Sequence, residues 1–269
     1  MKRLLTTIAA ALLFIGGANQ AIAQTEDGAF SDLSVGLGIG TTGIEFQVAS
    51  SINSFLALRA GYSFMPSIKP SFNVDFDSTE DFLKKEDGSG YYDNTDIEAK
   101  LSMGDLKLLV DAYPSKKSSF HFTAGFYLGK STMLKANNTS TFINKSYWGN
   151  SGPELGTTSS TYTVVSDPNG NINAEMRINS FKPYIGVGFG RAVPKNRLNV
   201  SFDFGVQFWG KPSLWTTISD DYGKEFRKVE RDRITNTQDY CDDIRDGLEI
   251  MEKVIVYPVM TVRLNGRIF

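Results

Sequence analysis

The sequence predicts an all-β protein in which eight antiparallel strands close into a transmembrane barrel, with long loops at one end and one short amphipathic helix before the last strand. Three observations predict it. The 269-residue chain begins with the pattern of an export signal, it contains about eight segments in which apolar and polar side chains alternate, and the connections between these segments are alternately short and long. Alternation with a period of two is typical of strands that have one apolar face.

The first residues, "MKRLLTTIAAALLFIGGANQAIAQ", have a basic start, an apolar stretch over 4–17 and an Ala-Ile-Ala triplet just before Gln24. This is the pattern of a secretory signal peptide. The apolar stretch is too short to span a bilayer as a helix. We therefore expect residues 1–23 to be a signal peptide and residues 24–269 to form one exported β-barrel domain.

Charge and cysteine content exclude several classes of protein. Two of the 28 basic residues lie in the signal peptide, so 26 remain against 30 acidic residues, and the net charge is about −4. A nucleic-acid partner is not expected, because it would require a basic surface. The single cysteine, Cys241, cannot form an internal disulfide. One histidine, His121, and one distant cysteine offer no metal-ligand spacing, so no metal and no cofactor are expected.

The alternating segments predict the strands one by one. Each segment places apolar side chains on one face and glycine, hydroxyl, amide or charged side chains on the other. In the seventh segment, for example, Val200, Phe202 and Phe204 lie opposite Ser201 and Asp203. The segments are 32–40, 43–50, 54–64, 105–114, 120–129, 183–190, 198–209 and 254–269.

The lengths of the connections favour a membrane barrel over a soluble sandwich, which would show the same alternation. Short links alternate with long ones: the short links are 50–54, 114–119 and 193–197, and the long ones are about 66–96, 131–173 and 210–252. Outer-membrane barrels have short periplasmic turns and long external loops. An even number of strands closes the ladder, so that no backbone group is left unpaired in lipid.

The long connections carry three further patterns. Before Gly104 and near Ser180 the apolar residues move to the other face, which predicts a β-bulge in each strand. Residues 75–98 contain nine acidic residues and two lysines, which we interpret as solvated loop charge, with a divalent-cation site as the alternative. Residues at about 238–253 repeat apolar side chains at helical spacing, which predicts an amphipathic helix packed over the barrel mouth, against loops or under a partner protein.

Three stretches carry a family resemblance: "KPYIGVGFG", the helix-like "DDIRDGLEIMEKV" and the closing "YPVMTVRLNGRIF". Together they resemble the small outer-membrane β-barrel proteins grouped as OmpX- and OmpW-like barrels. The resemblance implies a porin-like, eight-stranded barrel in the outer membrane of a Gram-negative cell, in contact with outer-membrane lipids and lipopolysaccharide. It also implies insertion by the barrel-assembly machinery, which recognises a last strand that ends in an aromatic residue. Here Leu264, Ile268 and Phe269 form that signal, but the apolar face ends on Ile268, so Phe269 lies one place out of register.

Seven charged side chains fall on the polar faces of the predicted strands: Glu45, Arg59, Lys107, Asp111, Asp203, Arg263 and Arg267. The interior of an eight-stranded barrel is just wide enough for side chains to fill it. Charges there share little water and must pair. We therefore predict a salt-bridged network that fills the lumen, with a narrow pore for ions or small solutes as the alternative.

Other candidate sites have weaker support. The glycines of "GLGIG" (36–40) and "GVGFG" (186–190) continue the strand alternation, so we interpret them as space for lumen side chains and not as phosphate-binding loops. His121 with Ser201 or Ser34 could form a hydrolytic triad. His121 is predicted at the periplasmic end of its strand, whereas enzymes of outer-leaflet lipids act at the external rim. We therefore favour the interpretation that His121 makes a hydrogen bond in the lumen.

The sequence as a whole predicts a non-enzymatic protein of the outer membrane with a structural or surface-interaction role. The alternative is an OmpW-like channel for small solutes, and an enzyme that modifies outer-leaflet lipids is the least favoured class. The sequence identifies no partner protein at the cell surface or in the outer membrane.

Overall fold

The computed structural model describes residues 30, 32–75, 79–156, 161–235 and 238–268, so the predicted signal peptide lies outside the described residues. Within these ranges the chain forms an all-β antiparallel sheet with one α-helix. The strands are β1 Leu33–Gly40, β2 Gly43–Asn53, β3 Leu56–Ile68, β4 Ser71–Asp75, β5 Asn94–Ala112, β6 Phe120–Gly129, β7 Thr132–Asn138, β8 Tyr162–Val164, β9 Asn173–Arg177, β10 Phe181–Phe189, β11 Leu198–Phe208, β12 Ser213–Asp220, β13 Gly223–Lys228 and β14 Val256–Arg267, and the helix is α1 Asp239–Lys253. No helix in the described part of the chain is long and apolar enough to cross a membrane.

Eight of these strands pair in a closed ring. The order is β1, β2, β3, β5, β6, β10, β11 and β14, and β14 returns to pair with β1. Leu264 of β14 lies opposite Leu37 of β1 on one side and opposite Val200 of β11 on the other. Each ring strand overlaps one of the alternating segments, so the predicted strand positions are confirmed.

The two ends of the ring differ. Short connections at 54–55, 113–119 and 190–197 lie at one end, which we call the turn end. The opposite end, which we call the loop end, carries the tight turn at 41–42 and the long connections after β3, β6 and β11. This is the distribution of short and long connections that the sequence predicts.

The remaining six strands extend the sheet beyond the ring. Five of them lie in the predicted long loops, and β9 lies on the strand that was predicted to change face near Ser180. β5 belongs to both parts, because its second half pairs in the ring and its first half pairs with β4 and β7. The sheet continues through β9, β12 and β13, and β8 pairs with β12. We call these six strands and the first half of β5 the loop-end sheet. The strands inside the long connections were not predicted, because none of these segments keeps an alternation of apolar and polar residues as long as that of the ring strands.

β-bulges were predicted before Gly104 and near Ser180, where the apolar residues move to the other face of the strand. The structure gives both changes a different cause. On β5, Met103, Asp105 and Lys107 are all buried, so the same face stays inside and only its chemistry changes from charged to apolar. The irregularity in this ladder lies on β3 between Met65 and Ile68, where Pro66 has no N–H to donate. Near Ser180 the strand stops after β9 and restarts as β10.

The two faces of the ring have opposite chemistry. The outer face exposes apolar side chains on all eight strands; Leu37, Phe204 and Val262 are about half exposed, at 52%, 47% and 48%. The inner face buries polar side chains almost completely. We call the outward apolar side chains of the ring the outer belt. A soluble protein does not normally expose a continuous apolar band of this size.

The predicted amphipathic helix is present as α1, and it packs against the loop-end sheet as predicted. Cys241 and Leu248 are buried in a cluster with Leu155, Tyr162 and Ile218, and Ile244 and Met251 pack against the same cluster. The opposite face of the helix is polar except for the exposed Ile250. Burial of this apolar stripe holds the helix against the loop-end sheet.

Candidate functional site

The strand register brings six of the seven predicted charged residues into the interior of the ring. They come from five strands: Glu45 from β2, Arg59 from β3, Lys107 and Asp111 from β5, Asp203 from β11 and Arg263 from β14. Each is at most 3% exposed. They point inward because each lies on the polar face of an alternating strand whose apolar face forms the outer belt.

Arg59 joins two carboxylates near the turn end. Its Nη2 lies 2.8 Å from Oδ1 of Asp111 and 3.2 Å from Oδ1 of Asp203. Asp111 also accepts a hydrogen bond of 2.8 Å from the hydroxyl of Thr123. The guanidinium of arginine suits this position because its fork of donors can serve several oxygen atoms at once.

Glu45 joins two cations in the same way. Its carboxylate accepts from Nζ of Lys107 at 2.6 Å and from Nη1 of Arg263 at 2.9 Å. Arg263 also pairs with Asp203, and this ion pair connects the Glu45 group to the Arg59 group. Three carboxylates and three cations therefore form one continuous, charge-balanced set, which we call the lumen network. Buried charges are tolerated only when they are paired and hydrogen-bonded in this way.

His121 belongs to the lumen network and has no bond to a nucleophile. Its Nε2 lies 3.1 Å from Oδ1 of Asp203. In the described part of the chain, the hydroxyl of Ser34 donates to the carbonyl of Ala192 at 2.7 Å, and the hydroxyl of Ser201 accepts from Asn265 at 2.9 Å. Neither serine is bonded to the imidazole, and the arrangement favours a structural hydrogen bond over a hydrolytic triad.

Two glycines give the lumen network its space. Gly38 lies opposite both Glu45 and Arg263, and a Cβ at this position would come within 2.9 Å of the Glu45 side chain. A Cβ on Gly188 would come within 2.5 Å of Nε2 of His121. Both contacts are too close for a real side chain, so these positions require glycine for close approach and not for a ligand.

A second buried ion pair was missed by the sequence reasoning. Nζ of Lys182 lies 2.5 Å from Oδ1 of Asp105, and both side chains are almost fully buried. The signal was present in the sequence, because Asp105 shares a face with Lys107, and Lys182 shares one with Tyr184. Asp105 is the first residue of one predicted segment and Lys182 directly precedes another. At the end of a segment, few neighbouring residues define which face a side chain belongs to.

The other predicted site residues lie away from the lumen network. Arg267 lies at the turn-end rim, where Nη2 is 2.5 Å from Oδ1 of Asp32 and both side chains are partly exposed. Leu264, on the outward apolar face of β14, and Ile268, which directly follows the strand, are exposed to 51% and 54%. Phe269 lies outside the described residues, so the barrel-assembly signal stays a prediction.

The turn end of the ring is closed by the 190–197 connection. The guanidinium carbon of Arg191 lies 4.1 Å from the ring centroid of Tyr113. Its nitrogens donate to the backbone carbonyls of Ser54, Lys116 and Ser118 at 3.0–3.1 Å. Arginine thereby ties three connections of the turn end together over the lumen.

An aromatic pair closes the interior toward the loop end. The rings of Trp209 and Tyr257 are stacked with centroids 4.3 Å apart. Trp209 is buried with Met103 and Ile178, and Tyr257 packs against this cluster. Beside the lumen network, Tyr127 and Tyr184 fill the ring with Leu109 and Val259, and Tyr127 lies opposite Lys107 in the ladder between β5 and β6. The interior is therefore occupied by side chains from one end to the other.

The arrangement can hold opposite strands of the ring together. No group of three His, Cys, Asp or Glu side chains among the described residues is placed to hold a metal ion. Several buried interior atoms nevertheless have no hydrogen-bond partner in the described part of the chain: Gln47 Oε1, Arg59 Nε, Asp105 Oδ2, Gln207 Nε2 and Arg263 Nε.

No family model and no curated protein matches the chain. Among solved structures, it is similar to the crystal structure of CarO2 from Acinetobacter baumannii, with a TM-score of 0.45 and 16% identity over 88% of this chain and 98% of that one. It is also similar to CarO from the same organism, with a TM-score of 0.43 and 17% identity over 87% and 96% of the two chains. A third similar structure is a major outer membrane protein from Thermus thermophilus, with a TM-score of 0.35 and 15% identity over 88% and 98%.

Proposed function

We propose that this chain is an integral outer-membrane β-barrel protein whose eight ring strands cross the lipid. One observation carries the proposal: a ring of eight strands with no free edge exposes apolar side chains outward and buries charges inward. This is the reverse of a soluble protein, which places apolar side chains inside. In hydrocarbon, a closed ladder is the only arrangement of strands that pairs every backbone group.

The strand lengths support the same proposal. A tilted transmembrane strand needs about 9–11 residues. Apart from β5, which continues into the loop-end sheet, the shortest ring strand is β1 with 8 residues and the longest is β3 with 13. The outer belt covers this length, so the apolar surface matches the thickness of a bilayer core.

The proposal places the loop-end sheet and α1 outside the cell and the turn end in the periplasm. The partners are then outer-membrane lipids and lipopolysaccharide around the belt, and the barrel-assembly machinery during insertion. The predicted signal peptide and the resemblance to OmpX- and OmpW-like barrels support the outer membrane of a Gram-negative cell as the location.

We infer a structural or surface-interaction role because the interior is filled at every level described above. The lumen network and the tyrosines beside it fill the ring, and the Trp209–Tyr257 stack closes the interior toward the loop end. No step of catalysis is assigned to these side chains. The loop-end sheet supplies the part of the protein that another molecule at the cell surface could contact.

Reconstitution tests the proposal. The refolded full chain should float with liposomes in a density gradient and should migrate differently in unheated and heated detergent gels, because a closed ladder resists detergent until it is boiled. It should give no stable conductance step in a planar bilayer. Recovery of the folded protein in the aqueous fraction, without liposomes, would refute the membrane assignment.

A narrow channel is the second candidate, and the unpaired interior atoms of Arg59, Arg263 and Gln207 favour it. Water that satisfies these atoms would form the start of a hydrated path. The bilayer experiment separates the two roles. If the wild type conducts and Trp209→Ala conducts more, the path runs through the lumen; if only Trp209→Ala conducts, the wild-type interior is closed and the structural role stands.

A further inference from the structure

An apolar cavity lies at the loop end, above the aromatic pair. Its volume is about 330 Å³, which is within the usual range of ligand pockets, about 300–1,000 Å³. It is a half-open cavity, bounded by β5, β7 and β9 on one side and by the C-terminal turn of α1 on the other. The lining residues are Leu101, Met103, Met133, Met176, Trp209, Pro212, Met251, Val254 and Tyr257.

The polar atoms of the two aromatic residues are already used elsewhere. Nε1 of Trp209 donates to the side-chain oxygen of Gln207 at 3.0 Å, and the hydroxyl of Tyr257 donates to the carbonyl of Thr41 at 2.8 Å. The other lining side chains are apolar. A water molecule needs two to four polar partners, and apolar cavities of even about 150 Å³ stay dry and accept apolar ligands. This cavity therefore suits a hydrocarbon ligand and not a polar one.

Four of the lining residues are methionines, from β5, β7, β9 and α1. Methionine is unbranched and polarizable, and it adapts its shape to an apolar ligand more readily than leucine or isoleucine does. A wall of methionines on four elements can close around a flexible chain without a fixed shape.

The cavity opens toward the outer belt. Val254, which lines the cavity, is 50% exposed, and the next two residues, Ile255 and Val256, are 46% and 38% exposed. They lead directly into β14, where Met260 belongs to the outer belt with 52% exposure. An apolar surface thus runs from the belt to the cavity, and an acyl chain could follow it without contact with water.

We propose that this cavity binds one acyl chain of a membrane lipid. The inference rests on the proposed function, because an acyl chain can reach the cavity along this apolar surface only if the outer belt faces lipid. The bound acyl chain ends in the cavity, since the Trp209–Tyr257 stack separates the cavity from the lumen network. The site is thus a lipid-binding site between the helix and the loop-end sheet, with no passage through the ring.

Trp209 provides the readout. The chain has three tryptophans, and the double variant Trp148→Phe/Trp215→Phe leaves Trp209 alone. The probe is 12-bromododecanoic acid, whose terminal bromine quenches tryptophan on contact, added to this variant in non-brominated lipid nanodiscs. We expect quenching that saturates with probe concentration and is competed by unlabelled dodecanoic acid.

Met176→Gln keeps the length of the side chain and places an amide in the cavity wall. A hydrocarbon ligand would leave that amide unpaired, so we expect the probe to bind about tenfold more weakly or worse. Met65→Gln is the matched control, because Met65 packs against the same buried cluster but does not line the cavity; its binding should stay within about twofold. If Met176→Gln loses the heat-dependent gel shift, Met133→Gln takes its place.

Two results would overturn the site. Quenching that rises linearly without saturation and is the same in every variant would mean that the probe only partitions into the bilayer. Absence of quenching would mean that the cavity excludes acyl chains. Liposome flotation of the same samples keeps the two proposals apart: a protein that floats but gives either result disproves the acyl-chain site alone, and one that does not float disproves the membrane assignment.

Discussion

Arg59 and Asp203 face each other across the full width of the ring. Arg59 is on β3 and Asp203 on β11, which are separated by three strands in either direction around the ring, yet Nη2 and Oδ1 are 3.2 Å apart. An ion pair between opposite walls leaves no free passage at this level. The pair therefore acts as a cross-brace of the ring.

Loss of the carboxylate at the centre of this brace should destabilise the fold. Asp203 pairs with Arg59 and Arg263 and bonds His121. Asp203→Asn leaves two buried guanidinium groups with one anion fewer, and breaking a buried pair in this way costs about 3–5 kcal/mol. Urea titration of the reconstituted protein, followed by tryptophan fluorescence, measures the change in the free energy of unfolding.

The ion pair between Arg267 and Asp32 is the matched control, because its side chains are 37% and 32% exposed. Exposed pairs contribute about 0–1 kcal/mol, so Arg267→Gln should change the free energy of unfolding by no more than that. Equal losses in the two variants would contradict the view that burial makes the lumen network important.

Charge on the outer belt should be far more harmful than charge on the loop-end sheet. Val262 lies near the middle of β14 and Phe72 on β4, and their exposed fractions are almost equal at 48% and 47%. Arginine in place of a lipid-facing residue near the bilayer midplane costs about 2–4 kcal/mol. We therefore expect Val262→Arg to lose this amount and Phe72→Arg to lose less than about 1 kcal/mol by the same depth dependence. Similar effects of both changes on urea unfolding would argue against a bilayer around the ring.

The thiol of Cys241 should be unreactive while α1 is docked. Burial raises the pKa of this thiol, and the residue has no exposed surface. The thiolate is the reactive form, so labelling by a maleimide should be slow in the folded protein and fast in urea. Leu248→Ala, which opens the same cluster at a cost of about 2–5 kcal/mol, should accelerate labelling, whereas Ile250→Ala on the exposed face should not.

Acid should loosen the loop-end sheet through Asp220. Its burial raises the pKa, but hydrogen bonds from Arg227 and Arg233 outweigh this and hold the pKa at about 2, below its ordinary value of 3.8. A group with a lowered folded pKa contributes stability that is present above 3.8 and is lost as the pH falls through about 2. Hydrogen exchange of β12 and β13 should therefore accelerate between these two pH values.

The neighbouring carboxylate supplies the comparison for this experiment. Asp220→Asn should remove most of the acid sensitivity of exchange in β12 and β13, and Asp221→Asn, on an exposed residue of the same turn, should leave it unchanged. Acid sensitivity that persists in Asp220→Asn would assign it to another group.

Period two was sufficient to predict the ring strands, because each keeps its alternation over eight residues or more. It also placed Glu45, Arg59 and Asp203 inside the ring. It could not predict which charges meet, since a contact between opposite walls depends on the stagger of all eight strands. The alternation also could not distinguish a β-bulge from an inward face that changes from apolar to charged, as the inward face of β5 does near Gly104. Both shift the apolar residues of the sequence pattern by one position.

The acyl-chain cavity was beyond the reach of sequence reasoning for a different reason. Its walls come from four strands or strand ends and one helix, and the methionines that line it are far apart in the chain. Met176 belongs to a strand of five residues, which the sequence pattern placed in one longer strand with a change of face near Ser180. Only the pairing of β9 with β7 and β12 brings it beside Met133 and the end of α1.

β5 passes from the ring into the loop-end sheet as a single strand of 19 residues. A slip of one residue along this strand would turn Lys107 and Asp111 toward lipid and at the same time turn Met103 out of the cavity wall. A misaligned outer sheet is therefore incompatible with a correctly closed ring. Any process that rejects a ring with the wrong register in β5 would therefore also reject a misaligned loop-end sheet, because the two parts share this one strand.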